Sequence, residues 1–179
     1  CTAPELGATC TKTRKTTCVP GKDEVYFVDS CGNAANVYDI RKIDDLAYWS
    51  TIQAPSSSCN AGSSNANDKN CGNCNYLQGS ICRQAEKGNK PTQGDFICAD
   101  LNCRTTSVGA KKHGESWCVY DDKGEKNAGK NAVGSRFYTH LCINGQETVE
   151  QCADYRQEEC IQGGITTTAG TFSQAACRV

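Results

Sequence analysis

Cysteine constrains the fold of this chain more than any other residue type. Fifteen of the 179 residues are Cys, about 8 %, which is close to the proportion that marks a disulfide scaffold. The cytosol keeps thiols reduced, so a cysteine load of this size is rare there and typical of secreted and surface proteins. The composition therefore predicts an extracellular protein whose cysteines serve architecture.

The apolar content of the chain is small for its length. Hydrophobic residues, counted with Cys, make up 37 % and aromatic residues 7 %. A domain of this size normally buries a large aliphatic core, so cross-links have to supply part of the stability. Closing a loop of about 15 residues contributes roughly 3 kcal/mol in the chain-entropy model. We expect a small, disulfide-rich, mainly β fold with one or two short helices, irregular and loop-rich, with β-hairpins stapled by about seven disulfides.

The odd number of cysteines leaves one without an intrachain partner. The terminal Cys1 is the candidate: it pairs with another chain, carries a lipid anchor as in processed lipoproteins, or stays free. A simpler alternative is that Cys1 only marks where proteolysis or order begins. The fourteen candidates for disulfides, whose pairing the sequence does not give, are Cys10, Cys18, Cys31, Cys59, Cys71, Cys74, Cys82, Cys98, Cys103, Cys118, Cys142, Cys152, Cys160 and Cys177.

Two hairpins are predicted from the local sequence. Residues 16–28 contain two β-rich segments around a Pro-Gly turn. Residues 135–151 contain two β-capable segments around Asn144-Gly145, the strongest short hairpin signal, because both turn positions need a positive φ. Residues 116–120 predict another strand, with Trp117 buried.

Two short helices are predicted near residues 42–51 and 149–158, the first from apolar spacings of three and four. We expect two subdomains, an N-terminal cysteine-rich one (1–108) and a C-terminal cysteine-rich hairpin one (109–179). The uncharged, Thr-rich residues 165–172 have high β-propensity. They are expected to pair with a sheet edge of their own chain or of a neighbour.

Redox and zinc chemistry are alternatives for some of the cysteines. Cys71 and Cys74 form a C-x-x-C motif, but no hydrophobic strand precedes it as in thioredoxin-type enzymes. With Cys98 and Cys103 the same pair would make a loosened zinc ribbon. An oxidising compartment argues against free thiolates, so a structural role is the preferred interpretation.

Other site chemistry has little support in the sequence. Asp68 and Asn70 have some likeness to a calcium loop, but the bidentate acid of such a loop is missing. The only histidines are His113 and His140, and His140 alternates with Thr139 and Leu141 on a predicted strand, so we expect it to face solvent. Nothing assembles an acid, a base and a pocket. We predict no enzyme, no cofactor and no metal.

The charge distribution and the lack of long apolar runs exclude two further classes of protein. The chain has 19 Lys and Arg against 20 Asp and Glu, without the basic stripe of a nucleic-acid binder. It also lacks the run of about 20 apolar residues that a membrane span needs. We predict no nucleic acid and no membrane span.

A string of cysteine-containing and aromatic motifs runs between residues 18 and 160. The motifs lie at residues 29–39, 71–74, 100–103, 114–121, 133–138, 142–145 and 152–156. Together they resemble a cysteine-rich module of large predicted surface proteins of small-genome archaea. The resemblance implies an extracellular, cell-surface location and gives no catalytic residue.

The sequence favours a structural or adhesive role outside the cell: a surface module, or a subunit of an extracellular filament or envelope. Its expected partners are further copies of itself or other surface proteins. The alternative is a secreted carbohydrate- or protein-binding module. Tyr48 and Trp49 would be its stacking platform if they are exposed, although such residues more often belong to a helix face in the core. A secreted enzyme or inhibitor ranks third.

Overall fold

A computed structural model describes residues 2–3, 8–120 and 134–179. The chain forms two compact units, Cys1–Asp100 and Leu101–Val179. The subdomain boundary expected between residues 108 and 109 stays a prediction. Cys1 lies outside the described residues, so its lipidated, interchain and free states also stay predictions.

The first unit begins with strands and continues with short helical segments. Its sheets are antiparallel: β1 pairs with β2, β3, β4 and β5 lie in that order, and β6 pairs with β7. The strands are β1 (Thr2–Ala3), β2 (Ala8–Thr9), β3 (Lys15–Cys18), β4 (Val25–Val28), β5 (Ala34–Val37), β6 (Ser80–Gln84) and β7 (Phe96–Asp100). The helical segments are the 3₁₀ turns Ile40–Lys42, Pro55–Ser57 and Tyr76–Gln78 and the α-helix α1 (Leu46–Ser50).

The helix predicted near residues 42–51 forms only in part. Asp45 precedes α1, and its carboxylate accepts hydrogen bonds from the backbone N–H groups of Ala47 and Tyr48, which supplies the cap that a helix start needs. Residues 40–42 form a separate 3₁₀ turn. The helix is therefore a single turn that turns Tyr48 toward the core.

The core of the first unit surrounds β4. Val25 and Phe27 are fully buried on one face of this strand, as the period of two predicts. The Phe27 ring packs against three aromatic rings at 4.8–6.5 Å between centroids. Gly72 lies against this core with no room for a side chain, because an added Cβ would lie 2.6 Å from the Val25 Cβ.

The second unit is a three-stranded antiparallel sheet with a hairpin packed on it. The sheet has the order β10–β9–β8, with β8 (Ser116–Tyr120), β9 (Arg136–Ile143) and β10 (Gln146–Asp154). Asn144 and Gly145 have φ values of 53° and 81°, which confirms the predicted turn. The hairpin consists of β11 (Glu159–Thr167) and β12 (Gly170–Arg178).

One predicted helix is wrong. Residues 149–158 continue β10 to Asp154 and then form a turn, because pairing with β9 extends the Asn-Gly hairpin through Gln151 opposite Tyr138. This ladder supplies backbone hydrogen bonds that local helix spacing does not outweigh. The buried position of Trp117 is confirmed.

The described residues contain seven disulfides, each of them inside one unit: four in the first and three in the second. The bridges are Cys10–Cys31, Cys18–Cys82, Cys59–Cys71, Cys74–Cys98, Cys103–Cys142, Cys118–Cys160 and Cys152–Cys177. The expected fold class, mainly β, loop-rich and stapled by about seven disulfides, is confirmed. Such a density of bridges makes this a stable domain of the extracellular type.

The helices in the described residues are short. The α-helix α1 has five residues, whereas a helix across a bilayer needs about 20. In these parts of the chain, no helix has the length and apolarity to cross a membrane.

Candidate interaction edge

The cysteines of the redox and zinc alternatives are all consumed by disulfides. Cys71 pairs with Cys59 and Cys74 pairs with Cys98, so the C-x-x-C sulfurs belong to two different bridges. Cys103 pairs with Cys142. The four thiolates of a zinc ribbon therefore do not exist together in this fold.

The oxygen atoms of the calcium alternative hold a loop in shape. One Asp68 carboxylate oxygen accepts the backbone N–H of Asn70 at 2.8 Å and of Cys71 at 3.2 Å. These residues line a polar cavity of about 250 Å³ with Asp39 and Arg41. The Arg41 guanidinium donates to both carboxylate oxygens of Asp39. The cavity is thus polar, and its cation is already paired.

Of the two alternatives for Tyr48 and Trp49, the structure has the core position and not the exposed platform. Tyr48 is buried and its hydroxyl donates to the Val37 carbonyl at 2.7 Å. Trp49 is half-buried against Phe27, and its indole N–H donates to the Ile43 carbonyl at 3.0 Å. Both rings belong to the core of the first unit, because the cap at Asp45 turns this face of α1 inward.

The expectation that His140 faces solvent is also wrong. His140 is only 2 % exposed, lies opposite Trp117 in the sheet, and has its Nδ1 2.5 Å from a carboxylate oxygen of Glu147. Burial raises the pKa of Glu147, but the hydrogen bonds from His140 and Ser107 outweigh it, so the pKa lies below its ordinary value. Alternation alone gave the wrong environment because both sides of this sheet are covered: the hairpin lies on the Thr139 side, and His140 packs with Trp117 beside the Cys103–Cys142 bridge on the other.

His113 also serves a turn. Its ring Nδ1 accepts the backbone N–H of Asn144 at 3.2 Å, and the backbone N–H of His113 donates to the Asn102 side-chain oxygen at 2.9 Å. Burial lowers the pKa of His113, which favours the neutral ring that this acceptor role requires. Both histidines therefore have structural contacts at the β9–β10 hairpin.

The hairpin of β11 and β12 is fastened to the sheet on one face. Cys160 bonds to Cys118 on β8, and Cys177 bonds to Cys152 on β10. On the same face, the Gln162 side-chain oxygen accepts the backbone N–H of Cys118 at 3.1 Å. Both disulfides thus attach the base of the hairpin, which is the end away from its turn. Cys160 and Cys177 are neighbours there on the two strands, and each is bonded to the sheet.

The outer edge of β12 is covered by the chain's own side chains. These side chains belong to residues 112–116, the segment that leads into β8 and ends at its first residue. Lys112 Nζ donates to the Thr171 carbonyl at 3.2 Å, the Glu115 carboxylate accepts the Ser173 N–H at 3.1 Å, and the Ser116 hydroxyl accepts the Ala175 N–H at 2.7 Å.

Glu115 is charged in this arrangement. Burial raises the pKa of its carboxyl. The backbone hydrogen bonds from Lys112 and Ser173 and the nearby lysines lower the pKa by more than burial raises it, so it lies below its ordinary value. A charged acceptor makes a stronger hydrogen bond to the strand. This edge of the hairpin is therefore closed.

The register of the hairpin also fixes which backbone groups of β11 point to its outer edge. In an antiparallel pair, two residues either exchange both hydrogen bonds or point them away from each other. The N–H groups of Ser173 and Ala175 point away from β11, so their partners Gly164 and Gln162 point their backbone groups to the opposite side. Thr166, opposite Thr171, does the same. In the part of the chain that the structure describes, no strand pairs with this side of β11.

This open edge is exposed and uncharged. Residues 161–168 are all exposed and contain no charge and no proline. Ile161 and Ile165 are 56 % and 46 % exposed, and both lie on the face opposite to Cys160 and Gln162. Natural proteins protect edges with charges, prolines, bulges or covering segments. The first residue of β11, Glu159, is charged, but none of these protections is found in the rest of the described strand, residues 160–167.

The edge of the neighbouring sheet shows the usual protection. Strand β10 carries Glu147, Glu150 and Asp154 and has an irregular register near its end. Charges and bulges of this kind keep an edge from pairing with another chain. The contrast within one unit singles out β11 as the candidate interaction edge.

Residues 165–172 were expected to pair with a sheet edge of their own chain or of a neighbour, and they pair within the chain, with Ile165 opposite Phe172. The sequence did not reveal the unpaired outer edge of β11, because no local pattern shows which edge of a hairpin is covered by a third segment. The available signal was eight uncharged residues that contain Gly163 and Gly164 between two isoleucines.

Comparisons with protein-family models, with curated proteins and with solved structures found no match for this chain. The resemblance to an archaeal surface-protein module therefore stays a prediction.

Proposed function

We propose that this protein is a non-catalytic, extracellular structural module that joins neighbouring surface proteins through the open edge of β11. The observation that carries the proposal is the uncharged, exposed strand of residues 161–168 on a hairpin held by two disulfides. The seven bridges support a role outside the cell, where a protein must keep its shape without chaperones.

Strand addition is the binding mode that fits this edge. An added strand satisfies the outward backbone groups, and side chains at alternate positions give specificity. Because Cys160 and Cys177 anchor the base of the hairpin, the strand is held for an incoming partner, and little conformational entropy is lost on binding. In the filament or envelope that we propose, the module would supply one such joint.

A binding module for small ligands is the second candidate. The cavity beside Asp39 and Asp68 supports it, being about 250 Å³ and lined mainly by polar residues. The buried Tyr48 and the half-buried Trp49 do not offer the stacking surface that sugar recognition usually uses. The β11 edge is therefore the better-supported site.

The test is the oligomeric state of an edge variant. The substitution Ile165→Lys puts a charge on the exposed face of β11, so we expect association to weaken at least about tenfold, as for loss of one well-placed apolar contact. Sedimentation of the purified chain across a concentration series measures this.

Val149→Lys is the matched control, because Val149 is an equally exposed aliphatic residue, 48 % against 46 %, on the charged strand β10. Its association should equal that of the unmodified chain. A chain that stays monomeric at every concentration and binds no other surface protein, or two variants that weaken association alike, would contradict the proposal.

A further inference from the structure

We propose that the partner at the open edge is a second copy of this chain, paired antiparallel about a two-fold axis through Gly163. Ile161 of one copy then lies opposite Ile165 of the other, twice by symmetry. This inference rests on the proposed function and specifies the partner and the register of that same edge.

The outward backbone groups limit the possible registers. Gln162, Gly164 and Thr166 direct their N–H and C=O groups to the edge, and in a two-fold pair these residues must bond to each other. The register centred on Gly163 pairs Gln162 of each copy with Gly164 of the other. The register centred on Gly164 pairs Gln162 with Thr166 and Gly164 with itself.

The exposed isoleucines choose between these registers. With the axis at Gly163, each Ile161 meets an Ile165 at a non-hydrogen-bonded position, where facing side chains are closest. With the axis at Gly164, Ile161 would meet Thr167 and Ile165 would meet Gly163. The first arrangement covers both exposed isoleucines with apolar partners, so it is the one that the side chains favour.

Phe172 and Ala176 extend the same apolar surface across the hairpin. They lie opposite Ile165 and Ile161 on β12 and therefore share their face. Two paired copies would make a four-stranded sheet with a continuous apolar row across it. The row consists of Ala176 and Ile161 of one copy, followed by Ile165 and Phe172 of the other copy. The symmetry repeats this row once, as an isologous interface requires.

The glycines at the centre agree with the approach of another backbone. Gly163 and Gly164 lie in an unbroken ladder without a bulge, and neither has a positive φ. A Cβ built on Gly163 would meet nothing within 4 Å, so packing within the chain does not require this glycine. Glycine within a strand often marks close approach by another backbone, and here it leaves the edge groups uncovered.

The register can be tested by cross-linking at the axis. In a Cys1→Ser background, Gly163→Cys places two introduced thiols opposite each other at a non-hydrogen-bonded pair, with Cα atoms about 4.5 Å apart, within disulfide range. After mild oxidation, we expect a covalent dimer as the main species on a non-reducing gel. Peptide mapping should show the link between the two introduced cysteines and the seven native bridges intact.

Gly164→Cys is the matched control, because it adds a thiol one residue away with the same risk of misfolding. In the proposed register its two copies are offset by two residues and lie roughly 7 Å or more apart, so only a trace of dimer should form. Efficient cross-linking by Gly164→Cys, or by neither variant, in a chain that still self-associates would overturn the register while the proposed function stands. If the Cys1→Ser parent does not self-associate at any concentration, the second-copy proposal falls, and binding to another surface protein is then the remaining form of the proposed function.

Discussion

Single buried polar residues hold the second unit's turns in place. His140 and Glu147 are in contact diagonally across the β9–β10 hairpin, and Glu147 also accepts two hydrogen bonds from Ser107. These contacts tie the loop after the first unit's last strand to the strand that carries Glu147. A carboxylate with several hydrogen bonds is stabilised in its charged form, and that makes this contact depend on pH.

We predict that Glu147 contributes to stability at neutral pH and loses that contribution in acid. Because its folded-state pKa lies below its ordinary value, the stabilisation is present above the unfolded pKa, about 4.3, and disappears as the pH falls through the folded pKa. Glu147→Gln should lower the unfolding free energy at pH 7 and make it less dependent on pH below about 5. Urea unfolding at a series of pH values measures both effects.

Glu150→Gln is the control for this experiment, since Glu150 lies exposed on the same strand. Its pH profile should match that of the unmodified chain. Equal stability of Glu147→Gln and the unmodified chain across the whole pH range would show that the His140–Glu147 contact has no net effect.

At the scale of secondary-structure elements, the hairpin of β11 and β12 has one closed and one open edge. Lys112, Glu115 and Ser116 bond to the outward groups of β12, and two disulfides fix the hairpin's base. The same staples that hold β12 in place present β11 outward. The rigidity of the open edge therefore depends on covalent bonds more than on buried area.

We predict that removing one staple loosens the hairpin before it affects the first unit. With Cys152→Ala and Cys177→Ala together, amide hydrogen exchange in β11 and β12 should become faster, because a cross-link over 25 residues is worth roughly 3 to 4 kcal/mol in the chain-entropy model. Exchange in β3, β4 and β5 should change little. Peptide-resolved mass spectrometry measures both regions.

The paired substitutions Cys59→Ala and Cys71→Ala serve as the comparison, because they remove a bridge of the first unit. They should leave β11 and β12 unchanged. Faster exchange in every strand for both pairs would mean that the bridges do not act locally.

The elements that the sequence predicts well are those with strong local chemistry. Asn144-Gly145 gave the β9–β10 turn because only residues that tolerate positive φ fit there. The buried position of Trp117 was also predicted correctly. The helix expected at residues 149–158 failed because a long-range ladder with β9 decides the structure of that segment. Long-range pairing is also the reason that disulfide connectivity and the open edge escaped prediction.

At the scale of the whole molecule, two compact units each combine a small core with several bridges. The first core centres on Val25 and Phe27, and the second on Trp117 with Cys103 and Cys142. Chains with so little apolar interior depend on cross-links that restrict the unfolded state. The disulfide-rich character of the fold followed from composition, because cysteine content and core size are properties of the whole chain, whereas its β character followed from local hairpin and strand patterns.

The symmetry of the proposed pairing sets what the molecule can build. A two-fold contact through β11 is closed and gives a dimer, whereas an open filament needs a second, different contact. An envelope or filament of this protein would therefore consist of dimers joined elsewhere. The odd cysteine of the sequence, Cys1, is one candidate for that second joint.

The most direct test of the disulfide-dependent fold is the thermal unfolding of one sample before and after complete reduction. A thiol assay first establishes that the seven bridges are open. We expect the unfolding temperature to fall by at least about 20 °C, or the cooperative transition to vanish, given several kcal/mol per bridge. An unchanged transition in the fully reduced protein would contradict the claim that sulfur cross-links hold this fold together.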